Sequence, residues 1–306
     1  YPTDDYYGLL DNGEGGNIAT GKMDIAIGRL PVKTLSEARL LVDKIISYET
    51  DATYLRDWRN RLVFVGDDED GDLHARSANI AARIVENDHP VFNIDKIYFD
   101  AYQEVSTSGG DRYPDANQAI NNNIFKGTLI LNYMGHGGPT GWAQERVLTL
   151  EDIAGWNNSG HFPLLITATC SFTGFDEPNF VSGGERSILN EQGGCVALMT
   201  TVRAVFASDN LNLVRRIFNT IFERENGRVR TIGETTRLAT NSASDTENSR
   251  KFALIGDPAM QLAVPLYRVV TTEINGKPVI DNNTVIDTLQ ALSKVTVKGQ
   301  VTDQSG

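Results

Sequence analysis

Two residues combine a reactive side chain with a place at the end of an apolar run. His136 closes "GTLILNYMGHGG" (127–138), and Cys170 follows "PLLITAT" in "PLLITATCSFTGFD" (163–176). Only the thiolate of a cysteine is a competent nucleophile, so a catalytic cysteine needs access and a nearby base or positive field. An imidazole can serve as that base. The glycines Gly135, Gly137 and Gly138 let backbone approach a substrate, and the amides of Gly137 and Cys170 are placed to hold an oxyanion. Gly137 is expected at an exposed strand end. Each residue alone has an ordinary explanation, the cysteine as a small buried hydrophobe and the histidine as part of a turn. Their coincidence at two strand ends, in a chain with four histidines, favours chemistry. Cys195 begins the apolar run "CVALMTT" and reads as core. His89 in "ENDHPVF" and His161 in "NNSGHFP" read as loop residues.

The elements that would carry these residues follow from periodicity. From Arg61 onward, near-continuous apolar runs ("RLVFVG", "KIYFD", "TLILNYM", "PLLITAT", "CVALMTT") alternate with helical stretches ("ARSANIAARIVEN", "PDANQAINNNIF", "GERSILN", "NLNLVRRIFNTIF"). Strands of this kind are buried on both faces, as in a mostly parallel α/β sheet flanked by helices. Ligands bind beyond the carboxyl ends of such strands. Upstream, "MDIAIGRL" predicts a short strand. Thr34 and Glu37 have capping-box spacing ahead of apolar residues at 38, 41, 42, 45 and 46, which predicts a helix. After "FALIGDPAMQLAVP" the pattern turns to alternating Val and Thr with "NG" and "NN" turns, the start of a β-sandwich, with a boundary near Pro265.

With 306 residues, 40% of them hydrophobic, the chain can bury one full core and a smaller second unit. A net charge of −12 argues against nucleic acid as a partner. "GEGGNIATGKMD" lacks the spacing of a phosphate loop and precedes a strand instead of following one. Two cysteines are too few for a disulfide framework, although one bridge between them stays open. No run is long enough to span a bilayer. The chain opens on Tyr1 and stops at "VTDQSG" in a strand-rich stretch, and it reads as a piece of a longer or processed protein.

"NYMGHGG" and "TATC", 34 positions apart from His136 to Cys170, resemble the gingipain family of cysteine peptidases. The resemblance extends through "DIAIGRLPVKTLSEARLLVDKIISYE" and "FALIGDPAMQLAVP". It implies a caspase-like α/β fold with a His–Cys dyad. It divides the chain into the end of an N-terminal subdomain with its connecting helix (1–59), a catalytic domain (60–265) and the beginning of an immunoglobulin-like β domain (266–306). Within the family, "GHGGPTGWAQERVLTLEDI" and "TATCSFTGFDEPNFVSGGERSILNEQGGCVALMTTVRAVF" are similar to the sortase of type IX secretion in Bacteroidota. That similarity implies removal of C-terminal targeting domains from exported proteins at the outer-membrane surface. It also implies an outer-membrane partner in the secretion system and transfer of the new carboxyl end to an anionic lipopolysaccharide. A gingipain-like endopeptidase of broader specificity and a non-catalytic scaffold of the secretion machinery are the alternatives. Hydrolysis and transpeptidation share every step up to the thioester, so the sequence does not separate them.

Acid is concentrated in "VGDDEDGDLHARSAN" (65–79), where four Asp and one Glu fall among six residues. The stretch allows three readings. It can be a solvated loop, or it can hold a structural Ca²⁺, although it lacks the twelve-residue ligand pattern of an EF-hand. The gingipain resemblance offers the third, a carboxylate supporting the histidine near Asp68 and an acid reading a basic substrate side chain near Asp72. Glu145 and Asp176 are alternative partners for His136. Trp142 and Phe172 flank the dyad and suit either the core or a substrate groove. No cofactor is required by this chemistry.

Overall fold

Six strands, five of them largely apolar, come together as one sheet. They are β1 (Arg61–Gly66), β2 (Asn93–Tyr98), β3 (Ile130–Met134), β4 (Leu164–Ala168), β5 (Ala197–Thr201) and β6 (Phe252–Ile255). The structure, a computed structural model, describes residues 1–243, 246–279 and 289–303. The strand order is β6-β5-β4-β3-β1-β2. The first five strands in sequence run parallel, and β6 closes one edge antiparallel to β5. Every residue of β3, β4 and β5 is buried, as their mostly apolar character requires, with Asn132 and Thr167 donating to the Ile166 carbonyl and the Thr200 hydroxyl.

Helices cover both faces. On one side, Leu41 and Ile45 of α1 (Leu35–Thr50) and Ile120 and Ile124 of α3 (Pro114–Lys126) share a core with Val63, Val65, Leu131, Tyr133, Leu165 and Leu198. On the other, the buried alanines of α2 (Glu69–Asp88) and Phe218 of α4 (Ala207–Thr220) form the cover, with Phe218 and Phe64 rings 5.1 Å apart. The Thr34–Glu37 capping box forms as read. Parallel strands with helices on both faces are the mostly parallel α/β architecture expected from the sequence.

The "MDIAIGRL" segment departs from expectation. Among the described residues, its one bridge to the sheet is Arg29 to Ile255. At its start, Asn241 holds the Met23 N–H and C=O at 2.9 and 2.8 Å, and the Gly8 carbonyl accepts from the Asp24 N–H. Groups held by a side chain and a loop at Met23 and Asp24 are not available to a strand ladder there.

Two compact units divide the chain, Tyr1–Ala263 and Val264–Gly306. Residues 1–59 belong to the first unit, because Leu41, Ile45 and Trp58 are part of its buried interior. The second unit contains an antiparallel sheet of β7 (Arg268–Ile274), β8 (Lys277–Pro278) and β9 (Val297–Thr302), in the order β8-β7-β9. The rest of the immunoglobulin-like domain expected over 266–306, at 280–288 and 304–306, lies outside the described residues. No helix among the described residues is long and apolar enough to cross a membrane.

Candidate active site

The parallel ladder itself brings His136 and Cys170 to one rim. Met134 and Ala168 pair across β3 and β4, and each candidate lies two residues beyond its member of that pair. The Gly135 N–H continues the ladder to the Ala168 carbonyl at 3.4 Å. On the other flank, Asp67 follows β1, donating its own N–H to the Met134 carbonyl at 3.1 Å. Its carboxylate is fully buried and accepts the N–H groups of His136 at 2.8 Å and Glu69 at 3.0 Å. Tyr133 donates its hydroxyl to the His136 carbonyl at 2.6 Å, and burial beside Asp67 pushes the phenol pKa far up, so it stays a donor. The histidine's backbone is thus fixed on both sides.

Its ring is half exposed and is met by Asp70, with His136 Nε2 and Asp70 Oδ2 3.2 Å apart. Asp70, Gly71 and Asp72 are all in the left-handed region, at φ 55°, 62° and 61°. A run of this kind is costly for aspartate and sets Asp70 apart from the regular turns of α2. Asp70 Oδ2 also lies 3.4 Å from Nε2 of His74, whose ring meets that of His136 edge to face at 5.0 Å. Burial lowers the His74 pKa, favouring the neutral imidazole.

The carboxylate beside His136 is therefore Asp70, not Asp68. Asp68 instead accepts the Tyr113 hydroxyl at 2.6 Å, because the left-handed turn carries the chain round before the helix begins. Asp72 is exposed and stands 3.8 Å from Arg76 one turn along. Asp176 is paired with Arg203 at 2.5 Å, which holds its carboxyl below the ordinary range. Glu145 is buried, and desolvation raises its pKa. The carboxylates of the acidic stretch have their own partners, Asp67 and Asp70 both meeting His136, and do not converge on an all-oxygen cluster among the described residues. Sequence reasoning missed Asp67, Asp70 and His74. The left-handed residues at 70–72 take Asp70 out of helical register, so its spacing of four from His74 was no guide to the contact.

Cys170 is half buried, with Sγ 3.9 Å from the Val205 carbonyl. Ser171 immediately after it is left-handed at φ 50°. The turn then runs along the end of β5, with Ser171 N–H donating to Arg203 and Thr173 N–H to Thr201. Both cysteines are free thiols. Cys195 is buried just before β5, under a loop held by Lys44, whose ammonium donates to the carbonyls of Ile188 at 2.7 Å and Gly193 at 2.8 Å. Burial pushes the Cys195 thiol up to about 12. Alkylation of the native protein near neutral pH should accordingly label one thiol per chain, Cys170, as peptide mass mapping would read. Labelling of Cys195 at an equal rate would overturn this assignment.

Of the two places open to Trp142, groove and core, the structure gives it the core. It is 1% exposed, stacked on Tyr133 at 4.4 Å with Phe172 at 5.6 Å on its other neighbour position, so its ring belongs to the core. A cavity of about 750 Å³ opens beside His136, with Gly137, Gly138, Gln144, Arg146 and Glu151 in its lining. Gly137 is not at an open strand end. It pairs with Trp142 in a small antiparallel sheet, and a Cβ there would meet Thr169 Oγ1 at 2.7 Å and the Gly141 carbonyl at 2.8 Å. A Cβ on Gly138 would meet nothing within 4 Å. Gly137→Val should therefore lose about 1–3 kcal/mol of stability along with turnover, whereas Gly138→Ala should keep both. Thermal unfolding and peptide cleavage on the pair check this; equal midpoints would refute the crowding.

The family model described as Peptidase family C25 matches residues 1–263. Among solved structures, the Arg-specific cysteine proteinase gingipain R (RgpB) superposes with a TM-score of 0.69 at 18% identity, over 88% of this chain and 62% of that one. The complex of Porphyromonas gingivalis RgpB pro- and mature domains gives 0.68 at 19% identity, over 89% and 64%. Dimeric latent PorU from Porphyromonas gingivalis aligns with all of this chain and 23% of its own length, at 27% identity and a TM-score of 0.39. The chain thus spans less than two thirds of the length of these structures. Among curated proteins, none matches the sequence.

Proposed function

The chain belongs to peptidase family C25, the gingipain family of cysteine peptidases, and from that premise we propose that Cys170 is its nucleophile and His136 its base. The observation that supports this reading is the shared rim: both residues stand two positions beyond a paired strand end, one with its backbone held by Asp67 and its ring beside Asp70. Cys170 Sγ attacks the scissile carbonyl carbon, and the thiol proton passes to His136. With Nε2 beside Asp70, Nδ1 is the nitrogen that takes the proton and returns it to the leaving amine. Asp70 orients the ring and stabilises its cationic form. The Gly137 and Cys170 amides receive the oxyanion. The thioester then passes to water or to an amine.

The substrates in this reading are proteins carrying C-terminal targeting domains of type IX secretion, cut at the outer-membrane surface, with an anionic lipopolysaccharide as acceptor. The experiment is cleavage of such a cargo with and without an amine acceptor, the released carboxyl end being read by mass spectrometry. Strict cleavage ahead of the targeting domain supports the reading. Indiscriminate cleavage of unrelated proteins favours a gingipain-like endopeptidase, and no cleavage with an unreactive Cys170 favours a scaffold.

The role given to Asp70 is separately testable. Asp70→Asn should lower turnover by a few-fold, since an exposed ion pair is worth about 1 kcal/mol or less. Asp68→Asn should leave turnover near the parent's. The reverse order would return the supporting role to Asp68.

A further inference from the structure

Asp70, His74 and His136 have a geometry that supporting a base does not require. One ligand atom from each lies within 4.8 Å of the other two. Two of the edges are 3.2 and 3.4 Å, from Asp70 Oδ2 to Nε2 of His136 and of His74. Ligands bound tetrahedrally at about 2.0–2.1 Å from zinc stand roughly 3.3–3.4 Å apart, so these edges already have the required length. His74 is the second observation. Its side chain is 6% exposed, and its Nε2 is buried without a well-formed hydrogen bond among the described residues, aimed at Asp70. A buried ring nitrogen left in this state is costly unless something binds it. Half-exposed His136 and Asp70 leave the outer side open for entry and for a fourth ligand.

We propose that Asp70, His74 and His136 form a three-ligand site for a divalent transition ion of the zinc type. Two imidazoles and one carboxylate suit such an ion better than Ca²⁺ or Mg²⁺, which take oxygen. The consequence for catalysis rests on the reading of His136 as the base. Coordination through Nε2 leaves the ring's single proton on Nδ1, the nitrogen that must accept the proton of Cys170. The metal-bound ring cannot become imidazolium, so the thiol keeps its proton. An occupied site is a closed switch on the dyad.

The test is isothermal titration of the full chain with ZnCl₂, thiols reduced and chelators absent, in parallel with the alkylation rate of Cys170. One ion per chain should bind at micromolar concentration or tighter. His74→Gln, which keeps most of the buried volume, and Asp70→Asn, at an exposed carboxylate, should each weaken it by at least about tenfold. Cys170→Ala should bind as the parent does. Absence of binding, or binding that survives His74→Gln and disappears in Cys170→Ala, would overturn the site in favour of none or of a thiolate one. Zinc bound as expected and slowing alkylation supports both the site and the switch. Zinc bound as expected with alkylation unchanged leaves the site standing and instead removes His136 from its role as base.

Discussion

Replacing Cys170 by alanine should abolish cleavage while leaving the fold intact. Removal of the nucleophile in a comparable acyl-transfer site costs on the order of a million-fold in turnover. The structure explains why stability should be spared. Cys170 is half buried, its sulfur makes one long contact to a carbonyl, and the substitution retains the Cβ at the end of β4. A change of this kind usually stays within about 0.5 kcal/mol. Single-turnover assays with a peptide substrate and thermal unfolding of the same preparation read the two halves. Residual cleavage near the parent's rate would mean that another residue attacks the carbonyl.

His136→Ala should be nearly as severe, with a pH dependence that identifies the cause. An unassisted cysteine, with a free pKa of about 8.5, is only a few per cent thiolate at neutral pH. The variant's rate should therefore climb about tenfold per pH unit below that value and level off above it. In the proposed mechanism the imidazole also returns the proton to the leaving amine, a service that pH does not replace, so recovery should stop short of the parent. A profile that is flat and close to the parent's would remove the imidazole from the mechanism. Asp67→Asn is the structural control: it weakens the acceptor that holds the His136 amide and should act through position, with a lower unfolding midpoint.

Much of this arrangement is legible in the sequence because buried parallel strands announce themselves. "LILNYM" and "LLITAT" can only be central strands, and the rule that sites form at carboxyl ends then brings His136 and Cys170 together. The carboxylates are less legible. Four Asp in six residues have similar local propensities, and which of them faces the histidine is decided by three consecutive left-handed residues at 70–72. Only glycine among them signals that conformation in advance. Trp142 was ambiguous because a large aromatic beside a glycine-rich turn fits groove and core equally, and its stacking on Tyr133 is a tertiary fact. His74 lay in a stretch whose readings all turned on its acids, and its burial depends on how α2 lies against the sheet. "MDIAIGRL" had the composition of a strand, and Asn241, more than 200 residues away, took the hydrogen bonds of its first residue, Met23.

The hydrogen bond from the His136 amide to Asp67 closes a separation of 69 residues. Contacts of that range form late, because the entropy of closing the intervening chain must be overcome before they contribute. A chain emerging during synthesis or held unfolded carries both its thiol and its imidazole but no alignment between them. In the proposed mechanism the thiol and the imidazole are therefore aligned only once β1, β3 and β4 have joined, so the chemistry starts with folding and not with translation.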